Sequence, residues 1–187
     1  RNMRTWGDVR ATTALAAPMP FCLYSDAYAF EEYLRQLLNA SFAGLLWSPE
    51  VREAGSLEEY LNRLAMSSFA PQMCINPWFI PNPLWMQYDR VKNEKNELLP
   101  DEEQKRVAAR MREIGELRMQ LLPYLYACFY RYHAEGLPPV RSLLLDFPDD
   151  KALRDIDTEF LFGDNLLVAP FPGASTSREV YLPEGVR

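Results

Sequence analysis

Glu50 and Arg52 stand two residues apart in "LLWSPEVREA", at the end of a short apolar run. A carboxylate and a guanidinium side by side at such a place allow two explanations. One is a strand-to-helix loop in which the two side chains pair with each other or help cap the next helix. The other is a rim that recognises a polyol such as a sugar. Buried hydroxyls need charge-assisted partners to offset the water they lose, and a carboxylate can accept two of them. Trp47, three residues before Glu50, adds a ring that can lie against a sugar face. Asp26, in "LYSDAYAFEEYL", is a second carboxylate just ahead of a helix-like run, where an aspartate is also an ordinary N-cap. Asn76, after "PQMCI", can both donate and accept hydrogen bonds.

The elements that must hold these residues follow an alternating rhythm. Phe30, Tyr33, Leu34, Leu37 and Leu38 keep helical spacing, so an amphipathic helix is expected over residues 26–40. "SFAGLLW" reads as a short buried strand. Ser56 with Glu59 is a capping-box signature ahead of Leu57, Leu61, Leu64 and Ala65, which places a second helix there. "PQMCI" reads as another strand. Strand, helix and strand with short links make the βαβ rhythm of a parallel sheet, as in part of a barrel or a doubly wound fold.

"NPWFIPNPLWMQYD" is too rich in proline for a regular helix or central strand, and is expected to be a loop. Its Trp78, Trp85 and Tyr88 either cover one face of a site or pack the loop against a neighbour. Asp101 with Gln104 opens a long helix bearing Val107, Met111, Ile114, Leu117, Leu121 and Leu125, with Met119 expected to pack as well. Pro123 should bend or split this helix, and Gly136 suits its C-terminal cap. His133, the single histidine, is expected to be exposed near that end. Beyond "GLPPV" the pattern changes to "SLLLDF", "EFLFG", "NLLVAP" and "EVYLPEG", short apolar runs of antiparallel type. A domain boundary is expected near Leu137, dividing residues 1–137 from 138–187.

Composition narrows the partners. The 187 residues are 48% hydrophobic, enough for a sizeable core. With 26 acidic and 20 basic residues and a net charge of -6, the chain has no basic block, and no nucleic-acid partner is expected. Cys22, Cys74 and Cys128 are odd in number and far apart, suggesting buried free thiols without a metal site. No run of about 18 apolar residues calls for a membrane. "ALAAPMPFCLY" lacks the charged flank of a signal peptide, and a soluble protein, cytoplasmic or secreted, is expected. The start at Arg1 and the stop at Arg187 suggest a segment of something longer. Alone, such a piece would expose open sheet edges and is expected to aggregate.

"RMQLLPYLYACFYRYHAEGLPPVRSLLLDFPDD", then "DIDTEFLFGDNLLVAP" and "VYLPEG", resembles the junction between catalytic barrel and C-terminal β-sandwich in glycoside hydrolase family 31. The family shows an LLPYLY helix, a G-x-P-x-x-R-P-L segment, an FP-D turn, a QF-x-x-G-x-x-LLVAP hairpin and a Y-L-P-x-G strand, in this order. The resemblance implies an α/β fold, the C-terminal portion of a (β/α)8 TIM barrel followed by strands of an antiparallel β-sandwich. It implies a retaining α-glycosidase acting on an α-linked carbohydrate substrate of glucoside, galactoside or xyloside type, with no cofactor and no metal. The partners it implies are the rest of the catalytic barrel and the flanking β domains.

Such chemistry needs two carboxylates about 5 Å apart. The family's nucleophile, in a D-M-N-E type motif, has no counterpart here, so it would lie outside this chain. By family position Asp26 resembles the acid/base, with Ser25 where glycine is common. Glu50 takes the place of a sugar-binding aspartate, Arg52 replaces a glycine, Cys74 stands for an arginine and Asn76 for a histidine. Trp47, Glu50, Arg52, Asn76 and Trp78 would then hold the substrate, Arg52 restoring the cation lost at Cys74. Those altered signatures also suit a second possibility, a relative that has lost catalysis and acts as a carbohydrate-binding or scaffold domain. A helical adaptor unrelated to sugars would leave the C-terminal hairpin motifs unexplained.

Overall fold

In the computed structural model the described residues are 29–44, 48, 50–51, 54–75 and 83–183. Three helices and a small sheet share one core. Helix α1, Phe30–Phe42, buries Phe30, Tyr33, Leu34, Leu37 and Leu38, the stripe its spacing predicts. It runs on through Ser41 and Phe42, so the expected strand does not begin at Ser41. Phe42 is 52% exposed, and the turn that follows is closed by Gly44 at φ 72°, a conformation that favours glycine.

Helix α2, Leu57–Ser67, starts as expected. Ser56 Oγ accepts the amide of Glu59 at 3.2 Å, while the Glu59 carboxylate takes the amide of Gly55 at 2.9 Å, one residue earlier than a standard capping box would place it. A short helix α3, Arg90–Glu94, capped by Asp89, follows directly on the stretch expected to be loop and precedes the long helix. Helix α4, Asp101–Glu135, has Pro100 as its N-cap, so Asp101 is its first residue and no cap; the Gln104 amide instead donates to Leu99 O at 2.7 Å. It ends at Gly136 in the left-handed conformation, φ 78°.

Pro123 does not split α4. The stripe facing the core holds Val107, Ile114 and Leu125, with Met111 and Leu121 packed beside it. Leu117 (37% exposed) and Met119 (65%) lie off it, which corrects the expectation for both. A helix advances 100° per residue, and Arg118, four after Ile114 and three before Leu121, occupies the buried line instead.

The sheet is antiparallel in the order β1-β2-β3, with β1 Val140–Ser142, β2 Phe160–Phe162 and β3 Leu166–Val168. "EFLFG" and "NLLVAP" form the expected hairpin, Leu161 opposite Leu167. All of β2 is buried because both sheet faces are covered. Phe160 and Phe162 enter the main core with α1, α2 and α4, and Leu161 joins Leu143 and Leu153 on the other side. "SLLLDF" departs from its expected strand: after Ser142 the chain turns into helix α5, Leu143–Asp146, capped by Ser142 Oγ. Residues 179–183 of "EVYLPEG" form no strand; the Tyr181 amide bonds the Glu159 carboxylate at 3.1 Å. Helix α1 packs on β1, and Arg35 pairs with Asp157 at 2.7 Å. Among the described residues no helix is long and apolar enough to cross a membrane; Cys128 is a buried free thiol, whereas Cys74 is only half-buried.

Candidate active-site rim

The segment carrying Glu50 is held from three sides. Ser48 is fully buried, and its hydroxyl accepts the amide of Gln72 at 2.9 Å. Two residues past Glu50's neighbour Pro49, Val51 donates to Cys74 O at 2.9 Å and forms a parallel bridge with Ile75. Among the described residues "PQMCI" pairs through Ile75 with Val51, and residues 45–47 of the expected first strand lie outside the described residues. Ala54 then donates to Tyr88 O at 3.2 Å, tying the exit of the segment to the loop ahead of α3. Glu50 sits half-buried between the Ser48 and Val51 anchors.

The 72–75 stretch has its own support. Arg118 on α4 donates to the carbonyls of Ser68, Ala70 and Pro71 at 2.7, 2.8 and 3.0 Å, gripping the turn that leaves α2. These carbonyls lie at a helix C-terminus, where the partial charge is negative and a cation is favoured. Burial pulls the guanidinium down from its ordinary pKa, with Cys74 and Tyr33 acting in the opposite direction. The loop before α3 is braced by Gln87, whose buried amide oxygen accepts from Tyr88 N at 2.8 Å and Asp89 N at 3.1 Å, while its nitrogen donates to Glu97 O.

Of the residues singled out in the sequence, Glu50 is among those described. Asp26, Trp47, Arg52, Asn76 and Trp78 lie outside the described residues. Tyr88 packs on the core, its ring 6.3 Å from that of Tyr60, whereas Trp85 is 42% exposed beside Asp101, Gln104 and Lys105. His133 is exposed in the last turn of α4. Sequence reasoning missed Ser48, Gln87 and Arg118. Arg118 left a signal, a cation at the helical spacing of a buried stripe.

A second polar cluster joins α4 to the sheet. Arg141, 3% exposed, makes a two-pronged bond to Asp146 at 2.8 and 2.9 Å and reaches Asp164 at 3.1 Å. Asp164 also pairs with Arg131, which holds Glu135 at 2.7 Å. Tyr124 receives the Asn165 amide at 3.0 Å and donates to Phe162 O at 3.2 Å. The hairpin, its loop and the end of α4 are one interlocked unit, lying in the part of the chain whose motifs are most regular.

Residues 136–187 match the C-terminal domain of glycosyl hydrolase family 31. Over this stretch the chain is similar to glycoside hydrolase family 31. Family 31 likeness reaches further than the matched domain. Alpha-glucosidase 2 of Bacillus thermoamyloliquefaciens is 44% identical over 70 residues, 37% of this chain and 9% of that protein. The cycloalternan-forming enzyme of Listeria monocytogenes, solved with a pentasaccharide substrate, superposes on 89% of this chain and 16% of its own, with TM-score 0.65 and 27% identity. A family 31 dextranase of Flavobacterium johnsoniae, complexed with glucose, covers 83% of this chain and 19% of its own, at TM-score 0.58 and 27% identity. The chain therefore spans a small part of the relatives it resembles.

Proposed function

We propose that this chain is a section of a retaining α-glycosidase, the C-terminal portion of its (β/α)8 barrel over residues 1–137 and the start of a β-sandwich over 138–187. The observation that carries this is the 89% structural coverage by an enzyme solved with an oligosaccharide, since it extends far upstream of the matched C-terminal domain. The parallel bridge between Val51 and Ile75, on either side of α2, is in keeping with two neighbouring barrel strands. Residues at the C-terminal ends of such strands carry the site in barrels of this type.

In this reading Glu50 accepts two hydroxyls of the bound sugar, and Arg52 and Asn76 complete the polar ring, with Trp47 and Trp78 against its apolar face. Asp26 supplies the proton. A nucleophilic carboxylate contributed from outside this chain attacks the anomeric carbon as Asp26 protonates the departing glycosidic oxygen, leaving a covalent glycosyl ester. Asp26, now ionised, takes a proton from water; the water oxygen attacks the same carbon, the ester bond breaks, and configuration is retained. No metal or redox group is required for either step.

The test is release of nitrophenol from a panel of α-linked nitrophenyl sugars by the full-length enzyme, wild type against Asp26→Asn. Turnover by the wild type that collapses in the variant supports the assignment, and the preferred sugar names the substrate. Because nitrophenol leaves easily, the variant is also assayed on a natural disaccharide, where the loss is expected to be larger. No turnover of any sugar by the wild type would overturn the enzymatic reading in favour of a binding or scaffold role.

A further inference from the structure

We propose that Arg118 is a positioning residue for the Glu50 rim, setting the place of the sugar-binding carboxylate through the 68–75 segment. This rests on the reading of Glu50 as a sugar ligand. The connection is short and each link is a hydrogen bond. Arg118 fixes three carbonyls in the turn after α2, those of Ser68, Ala70 and Pro71. The very next residue, Gln72, gives its amide to Ser48 Oγ, and Cys74, two further on, takes the amide of Val51. Those two rungs bracket Glu50, so the 72–75 stretch locates its backbone from both sides.

The guanidinium suits this task in a way a lysine would not. Its donors lie in one plane and span carbonyls several residues apart, whereas an ammonium offers a single point of charge. Ser68 and Ala70 are fully buried, so the turn cannot recruit water freely in place of the lost donors. Loss of Arg118 would leave the helices packed through Leu61, Leu64, Val107 and Ile114 while the turn and the strand after it relax. The consequence is a displaced carboxylate in the substrate complex, felt first in substrate binding.

The experiment compares wild type, Arg118→Met and Arg118→Lys in the full-length enzyme by steady-state kinetics on the best nitrophenyl glycoside and by amide hydrogen exchange. In Arg118→Met, KM is expected to rise about tenfold with kcat changed by less than about threefold. Exchange should quicken in peptides spanning 48–54 and 68–75, and remain unchanged in the 160–168 hairpin. Arg118→Lys should recover part of both effects. Unchanged exchange at 48–54, or equal acceleration in every peptide, would overturn the proposal, the second outcome marking a general structural role. If Arg118→Met does not fold, Arg118→Lys is judged by the same two readouts. A wild type without glycosidase activity would overturn the sugar assignment alone, because the exchange comparison still decides whether Arg118 positions the rim.

Discussion

The hydroxyl of Tyr124 fills the space in which a side chain on Gly163 would begin: a Cβ built there would stand 2.2 Å from Tyr124 Oη and 2.7 Å from Cys128 Sγ. Gly163 also has φ 62°, so the residue is required both by backbone conformation and by the ring against it. The tyrosine cannot withdraw without giving up its bonds to Phe162 and Asn165.

Gly163→Ala is therefore expected to destabilise the protein by about 2–4 kcal/mol, through overpacking together with the left-handed backbone penalty. Urea unfolding followed by tryptophan and far-UV signals measures it. A change under about 0.5 kcal/mol would show that the hairpin loop can shift away from α4 at little cost.

Removing the guanidinium at Arg141 should be similarly severe. Arg141→Met leaves Asp146 and Asp164 without their shared cation and Pro138 O and Gly163 O without a donor. Breaking a buried pair in this way costs about 3–5 kcal/mol, and since Asp146 is 28% exposed the lower end is expected. Asp146→Asn, which keeps an acceptor, should lose less. Equal losses in the two variants under the same urea titration would contradict the central place given to Arg141.

Glu159 gives a pH dependence of unusual sign. Its side chain is 1% exposed, and burial pushes its pKa above the ordinary glutamate range, against the opposing pull of Arg178 and the Tyr181 amide. A raised carboxyl pKa means that the folded state holds its proton longer than the unfolded state does. The stabilisation from this group is then full below the ordinary glutamate range and is lost as pH rises through the raised folded value. Glu159→Gln should remove this component, so the difference in unfolding free energy between wild type and variant should fall as pH increases across that window. A difference that is flat, or that grows with pH, would count against the burial argument.

Much of the frame was legible in the sequence because its signals are local. The α1 stripe, the Ser56 cap, the Gly136 terminus and the two hairpin strands each depend on spacing within a few residues. The failures have long-range causes. "SLLLDF" carries a strand-like composition, but Ser142 caps a helical turn and Leu143 finds its place with Leu153 and Leu161 beneath the sheet. In "PQMCI" the amide of Gln72 goes to Ser48 Oγ and the carbonyl of Pro71 to Arg118, partners 24 and 47 residues away that no local pattern announces. Glu50 was legible as a candidate from its type and place, whereas Ser48, which anchors it, is an unremarkable residue in a loop whose bond to Gln72 reaches 24 residues along the chain.

The packing of α1 against β1 has a consequence for how the protein is made. These elements are separated by the whole of α2, α3 and α4, and about 100 residues must leave the ribosome after α1 before its partner exists. At synthesis rates of about 5–20 residues per second, α1 waits roughly 5–20 s with Tyr33, Leu34 and Leu37 uncovered by the sheet. The apolar stripe of this short amphipathic helix therefore completes its packing only when the last quarter of the chain arrives.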